Sequence, residues 1–132
     1  MTVSVRLSSG ADREVLSDIE SLAANEASRY RGSLDHLQPG AWAVAEIDGT
    51  VVGAVSFADR EGIRTIGMIH VMASFRGIGA GDALVQWLLD DARGRGLSAI
   101  RASALPGDRQ TKNLFERFGL VARAIQVERK LD

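Results

Sequence analysis

The sequence contains no cysteine. Disulfides, thiolate metal sites and a cysteine nucleophile are therefore excluded. Imidazole is almost as scarce: His36 and His70 are the only histidines, too few for a multi-histidine centre, and no metal is expected. Excess positive charge is also lacking. The 16 basic residues stand against 17 acidic ones, a formal net charge of −1, whereas a general nucleic-acid binder is usually clearly basic. No apolar run approaches the ~18 residues of a membrane span. The first residues, Met1 to Arg6, lack the basic and long apolar regions of a signal peptide. The expectation is a soluble cytoplasmic protein with neither nucleic acid nor membrane as partner.

What is present suffices for a core. A chain of 132 residues has the size of one domain, roughly 100–150 residues at the mode, and residues 1–132 are read as a single domain. Val3, Val5 and Leu7 alternate with polar residues, as in a short half-buried strand. From Asp12 to Ser28, Val15, Ile19, Leu22 and Ala23 recur at helical spacing. Tyr30 to Gly40 is polar, ends in Pro39-Gly40 and reads as a loop with one helical turn around Leu34 to Leu37. Ala41–Ile47 and Val51–Phe57 are apolar segments separated by Asp48-Gly49, a strong hairpin signal because a type I′ turn needs positive φ. Asp59 to Gly62 is a second turn into a third strand, Ile63–Met72, completing an antiparallel meander.

The pattern then changes. Arg76-Gly77-Ile78-Gly79-Ala80-Gly81 opens a segment whose Leu84, Val85, Leu88, Leu89 and Ala92 form one apolar stripe, a helix from Gly79 to about Arg93. Ala99–Ala104 reads as a strand following in parallel after this crossover. Asp108 suits an N-cap for a further helix that ends at Gly119. Leu120–Arg129 alternates Val121, Arg123, Ile125, Val127 and Arg129 on one side and reads as a last strand.

The glycine stretch carries the chemistry. Glycines let the backbone take positive φ and approach a ligand closely. The first amides of the following helix have no intrahelical partner and lie at the positive end of its dipole, which makes an anion site. A P-loop is ruled out, since no Lys follows the glycines. A dinucleotide fingerprint starting at Gly77 would need a small residue at 82, which is Asp82, and an acid some 20 residues on, which the Ala99–Ala104 strand lacks.

The stretch matches [RQ]-x-x-G-x-[GA] at every position and so resembles the pyrophosphate motif of the GNAT N-acetyltransferase superfamily. The element order is similar to that family's over nearly the whole chain. The resemblance implies an α/β (α+β) fold, a mixed, mostly antiparallel sheet flanked by helices. It also implies acetyl-CoA as cosubstrate, with the amides of Arg76, Gly77, Ile78, Gly79, Ala80 and Gly81 on its pyrophosphate. Ile69-His70-Val71-Met72-Ala73 aligns with the family's apolar-x-Val-x-Pro strand, so main-chain groups of Val71 and Met72 would pair with the pantetheine arm. A second motif, N-x-x-A-x-x-L-Y-x-x-x-G-F, aligns with Asp108 to Leu120, and places Asp108 and Phe115 at the cofactor. Leu114 and Gly119 match, whereas Phe115 replaces the tyrosine that in many members donates a proton to the departing thiolate. Phenylalanine has no proton to give.

The reaction so implied is acetyl transfer to an amine by direct attack on the thioester. The acceptor is a small-molecule or peptide amine, and the resemblance is compatible with a homodimer. A base must take the amine proton. His70 is the first candidate, for its place on the strand bordering the cofactor and a pKa near neutrality; Glu61 is the second, and Asp59 and Glu46 follow. The alternative for His70 is a partly buried structural histidine. The alternative for the whole chain is a catalytically weak CoA-binding regulatory or protein-interaction module on the same fold.

Overall fold

The structure, a computed structural model, describes residues 2–32 and 40–131. The helical turn expected around Leu34 to Leu37, and His36 with it, lies outside the described residues. The elements run β1 (Ser4–Leu7), α1 (Arg13–Ala27), β2 (Ala41–Ile47), β3 (Thr50–Arg60), β4 (Ile63–Val71), α2 (Ala80–Gly94), β5 (Ala99–Arg101) and α3 (Arg109–Arg117). They form a five-stranded sheet in the order β1-β2-β3-β4-β5. The first four strands pair antiparallel and β5 joins β4 in parallel. The mixed, mostly antiparallel sheet flanked by helices is thus the one the element order led to.

Alternation along the strands gives the sheet two apolar faces. On one face Ala43, Ala45, Val55 and Ile66 pack with Ala80, Leu84, Val85 and Leu88 of α2 and with Phe115 of α3. On the other, Val44 and Ala54 pack with Ile19 of α1. Trp87 belongs to the first core, its ring 6.1 Å from that of Phe57, and Trp42 packs against the second. Both tryptophans are packing residues.

One charge is wholly buried. The Arg64 guanidinium, fully buried, donates to both carboxylate oxygens of Asp59 at 2.8 and 2.9 Å, to Asp91 at 2.8 Å and to the Leu88 carbonyl at 2.8 Å. It also lies 4.3 Å from the centre of the Phe57 ring. Burial opposes the charge, but the two carboxylates outweigh it and raise the Arg64 pKa. This network ties β3 and β4 to the second half of α2.

Two features open the sheet. Between Val55↔Ile69 and Phe57↔Ile66 the register shifts by one residue, so Ser56 of β3 faces both Gly67 and Met68 of β4, a β-bulge. Ser56 Oγ accepts the Met68 amide at 2.8 Å. A Cβ at Gly67 would collide with that oxygen, so a side chain there would displace the Ser56 hydroxyl from its bond to Met68. Beyond the bulge β4 diverges from β5: the two pair only from Ile63↔Ala99 to Thr65↔Arg101. The strand expected over Ala99–Ala104 is therefore shorter, because residues 102–104 have no ladder partner.

The last strand expected, Leu120–Arg129, is absent: residues 120–131 carry no regular secondary structure. Gly119 takes φ +85 and ends α3, with the Leu120 amide bonded back to the Phe115 carbonyl at 3.0 Å. Beyond it, neither side of the alternation is consistently apolar. One side mixes Val121, Ile125 and Val127 with Arg123 and Arg129, and the other carries Gln126 and Glu128. No face gains enough by burial to fix a register, and Ile125 and Val127 are each 87% exposed.

Candidate active site

The divergence of β4 from β5 leaves a cleft of ≈ 1020 Å³. Its floor is β4 from Gly67 to Val71, one wall is the end of α1 with Tyr30 and Gly32, and the other is Ser103 to Leu105 with α3. One end closes on the glycine loop and the start of α2.

The loop leaves its backbone open at the start of α2. After a 3-10 turn over Ala73–Phe75, Gly77 takes φ +84 and Gly79 φ +88, left-handed conformations that suit glycine. A Cβ at either would meet nothing within 4 Å, so both face open space. Gly79 is the N-cap of α2, and its carbonyl accepts the first intrahelical bond, from Ala83 at 3.0 Å. The amides of Ala80, Gly81 and Asp82 consequently have no partner within the helix. Gly81 packs closely on α3, where a Cβ would lie 3.4 Å from the Leu114 side chain.

Antiparallel pairing orients the floor. The Met72 amide bonds to the Val52 carbonyl at 2.8 Å and so faces β3. By alternation the amides of Ile69 and Val71 face the other way, toward the cleft. This corrects the expectation for Met72, whose amide is spent in the sheet and whose side chain packs against the α1 core instead of the cleft. Ile69 takes its place as the second edge residue.

The Arg76 side chain has a structural engagement of its own. Its two terminal nitrogens donate to the two carboxylate oxygens of Glu26, each at 2.8 Å, and Nε donates to the Val71 carbonyl at 3.0 Å. The guanidinium thus clamps the end of α1 to β4 and the loop. Asp108 likewise caps α3, accepting from the Thr111 amide at 3.2 Å and its hydroxyl at 2.7 Å, while remaining on the cleft wall. Asp82, in the first turn of α2, pairs with Arg117 of α3 at 2.6 Å.

His70 is buried on the cleft floor, 8% exposed, with Nδ1 3.2 Å from Glu26 Oε2. Burial lowers its pKa, the Glu26 carboxylate opposes this and the Arg76 charge adds to it, so the ring is neutral near pH 7. The hydrogen bonds from Arg76 hold the Glu26 carboxyl below the usual carboxylate range, against the opposing effect of burial, and it is ionised.

The structure brings His70, Val71, Arg76, Gly77, Gly79, Ala80, Gly81 and Asp108 to one cleft. Ile78 belongs to the loop but its side chain is not on the wall. Glu61 is at the β3–β4 turn, the opposite end of β4 from the loop, and does not reach the cleft. Asp59 and Glu46 are engaged by Arg64 and Arg6. Phe115, expected at the cofactor, is 6% exposed, belongs to the α2 core and is not among the cleft-lining residues. Its α3 neighbours Gln110, Asn113, Leu114 and Arg117 face the cleft instead. Sequence reasoning missed Glu26. A signal existed: Glu26 follows the buried Ile19 and Ala23 by seven and three residues, so it continues the buried stripe of α1, where a carboxylate needs a partner.

The model of the acetyltransferase (GNAT) family matches residues 12–120. The chain belongs to this family. Among curated relatives it is 33% identical over 87 residues to the probable N-acetyltransferase camello of Xenopus tropicalis, covering 64% of this chain. The match spans 40% of that relative's length. Among solved GNAT-like structures, the ribosomal-protein-alanine N-acetyltransferase of Brucella melitensis biovar Abortus superposes with a TM-score of 0.77 at 23% identity, over 99% of this chain and 100% of its own. An aminoglycoside N-acetyltransferase solved with CoA superposes with a TM-score of 0.73 at 14% identity, over 98% of this chain and 95% of its own. These likenesses establish a shared fold. Among the described residues there is no helix long and apolar enough to cross a membrane, and no group of acids and histidines that could hold a metal ion.

Proposed function

We propose that this chain is an N-acetyltransferase that moves an acetyl group from acetyl-CoA to an amine by direct attack on the thioester. The observation that carries the reading is a single one: the opening between β4 and β5 ends on the unpartnered amides of α2 and the open glycine turn. A long ligand with an anionic end fits such a cleft. The amides of Gly77 to Gly81 would take the pyrophosphate. The outward amides of Ile69 and Val71 would pair with the pantetheine arm as an added strand. His70, neutral and beside this edge, would accept the amine proton. The acceptor class, a small-molecule or peptide amine, rests on the family and on neighbours named for acetylating ribosomal protein and aminoglycosides.

One observation favours a second reading, a CoA-binding module with little turnover. The tyrosine position of the family motif is Phe115, buried behind the cleft with no hydroxyl. The thiolate must then leave unprotonated or take its proton from water or His70. Mixing the protein with acetyl-CoA and a panel of amines, while following free thiol, separates the readings. Acceptor-dependent thiol release is expected. Tight CoA binding with no such release would sink the enzyme and leave the module.

A further inference from the structure

We infer that Glu26 is the positioning residue for His70: it accepts a hydrogen bond from the Nδ1–H of the ring and leaves Nε2 as the atom that accepts the proton of the attacking amine. The inference rests on the transferase reading above but concerns a residue outside the motif-bearing segments.

Three observations carry it. Glu26 Oε2 is 3.2 Å from His70 Nδ1, which makes Nδ1 the ring nitrogen that faces the carboxylate. Both oxygens of the carboxylate accept from the Arg76 fork, which is itself anchored on the Val71 carbonyl. Finally, His70 itself lines the cleft that the acceptor amine must enter. The charged groups facing His70 are Glu26 from α1 and Arg76 from the loop; β3 presents Ala54 opposite it. A neutral imidazole donates from one nitrogen and accepts at the other, so a fixed acceptor at Nδ1 selects the tautomer with its lone pair on Nε2.

In the reaction the C–N bond forms as the amine adds to the thioester carbonyl, and its proton passes to Nε2. The C–S bond then breaks and its electron pair leaves on sulfur. The imidazolium so formed has the Glu26 carboxylate beside it, which favours the transfer. Arg76 gives the motif's first residue a double duty: it orders the loop and it fixes the carboxylate that orients the base.

The test is Glu26→Gln, which keeps the shape and one oxygen acceptor, turns the other oxygen into an NH2 donor and removes the charge. The free protein is labelled with 15N-histidine and titrated by NMR, and His70→Gln assigns the signals. In the unsubstituted protein the neutral His70 ring is expected to carry its proton on Nδ1. In Glu26→Gln the His70 titration is expected to move down by about half to one pH unit, with the acidic limb of kcat/KM moving in parallel. A role confined to packing would change thermal stability or the KM for acetyl-CoA and leave the titration in place. A neutral ring protonated on Nε2, or a titration unmoved by Glu26→Gln, overturns the inference. The NMR outcome decides it even if the chain shows no transfer activity, which would remove only the reading on which the reaction step depends.

Discussion

At position 115 the aligned motif and the structure separate what a residue type permits from where it points. Alignment with the family motif puts Phe115 at the tyrosine that gives up a proton, and restoring the hydroxyl looks like a gain. The structure puts the ring among Leu84, Leu88 and Ile66, 6% exposed. A hydroxyl there gains no access to the cleft and loses its water. Phe115→Tyr is therefore expected to leave kcat for thiol release unimproved and to lower stability by about 1–3 kcal/mol, the usual cost of burying an unpaired hydroxyl. Steady-state assay and urea denaturation of the variant check both halves, and a rise in kcat would mean that the ring faces the thioester after all. The motif spacing is legible in the sequence, but the side of α3 that meets the core depends on how the helix packs. Phe115 joins the core cluster with Leu114 and Phe118 packed against it, while Asn113 and the edge of Leu114 border the cleft. The same limit explains Glu26: its helical phase is readable from Ile19 and Ala23, but its partners Arg76 and His70 are far along the chain.

Elements made by local chemistry were the legible ones. Asp48-Gly49 turns β2 into β3 with φ of +49 and +79, as the hairpin signal requires. The Gly77 to Gly81 loop opens α2 within a residue of its expected start. What escaped was the register shift that makes the loop useful. The bulge at Gly67 and Met68 is set by cross-strand pairing with Ser56, and a lone glycine inside a strand pattern is its only trace in the sequence. The loop's own freedom yields a prediction at this scale. Gly79 holds φ +88 at the start of α2 with nothing within 4 Å of a Cβ. Gly79→Ala should fold, at a cost of about 1 kcal/mol for the left-handed alanine. Its methyl group would occupy the space the phosphates need, so CoA affinity is expected to fall roughly tenfold or more, about 1.4 kcal/mol per factor of ten. Calorimetric titration with CoA measures the second quantity and thermal melting the first. Unchanged affinity would place the pyrophosphate elsewhere.

For the whole molecule, the cleft is where distant segments converge: the end of α1, the far half of β4, the loop and α3 meet around it, and Arg76 bonds to a residue fifty positions earlier. The interactions that hold these segments together end at Leu120. Leu120 packs against the first core, whereas residues 121–131 are exposed throughout and carry no ladder bonds. The alternation of Val121, Ile125 and Val127 has the period of a strand, but Arg123 and Arg129 share its side and leave no apolar face to bury. If stability resides in the sheet, its two cores and the Arg64 network, the segment after Leu120 contributes little to it. A chain ended at Leu120 is then expected to keep its melting temperature and its urea midpoint, with a loss of no more than about 0.5 kcal/mol, as for surface changes that touch nothing. The measurement should be made at several protein concentrations. A large loss would show that the segment is covered in solution, and a loss that shrinks on dilution of the full chain would identify the cover as a second copy.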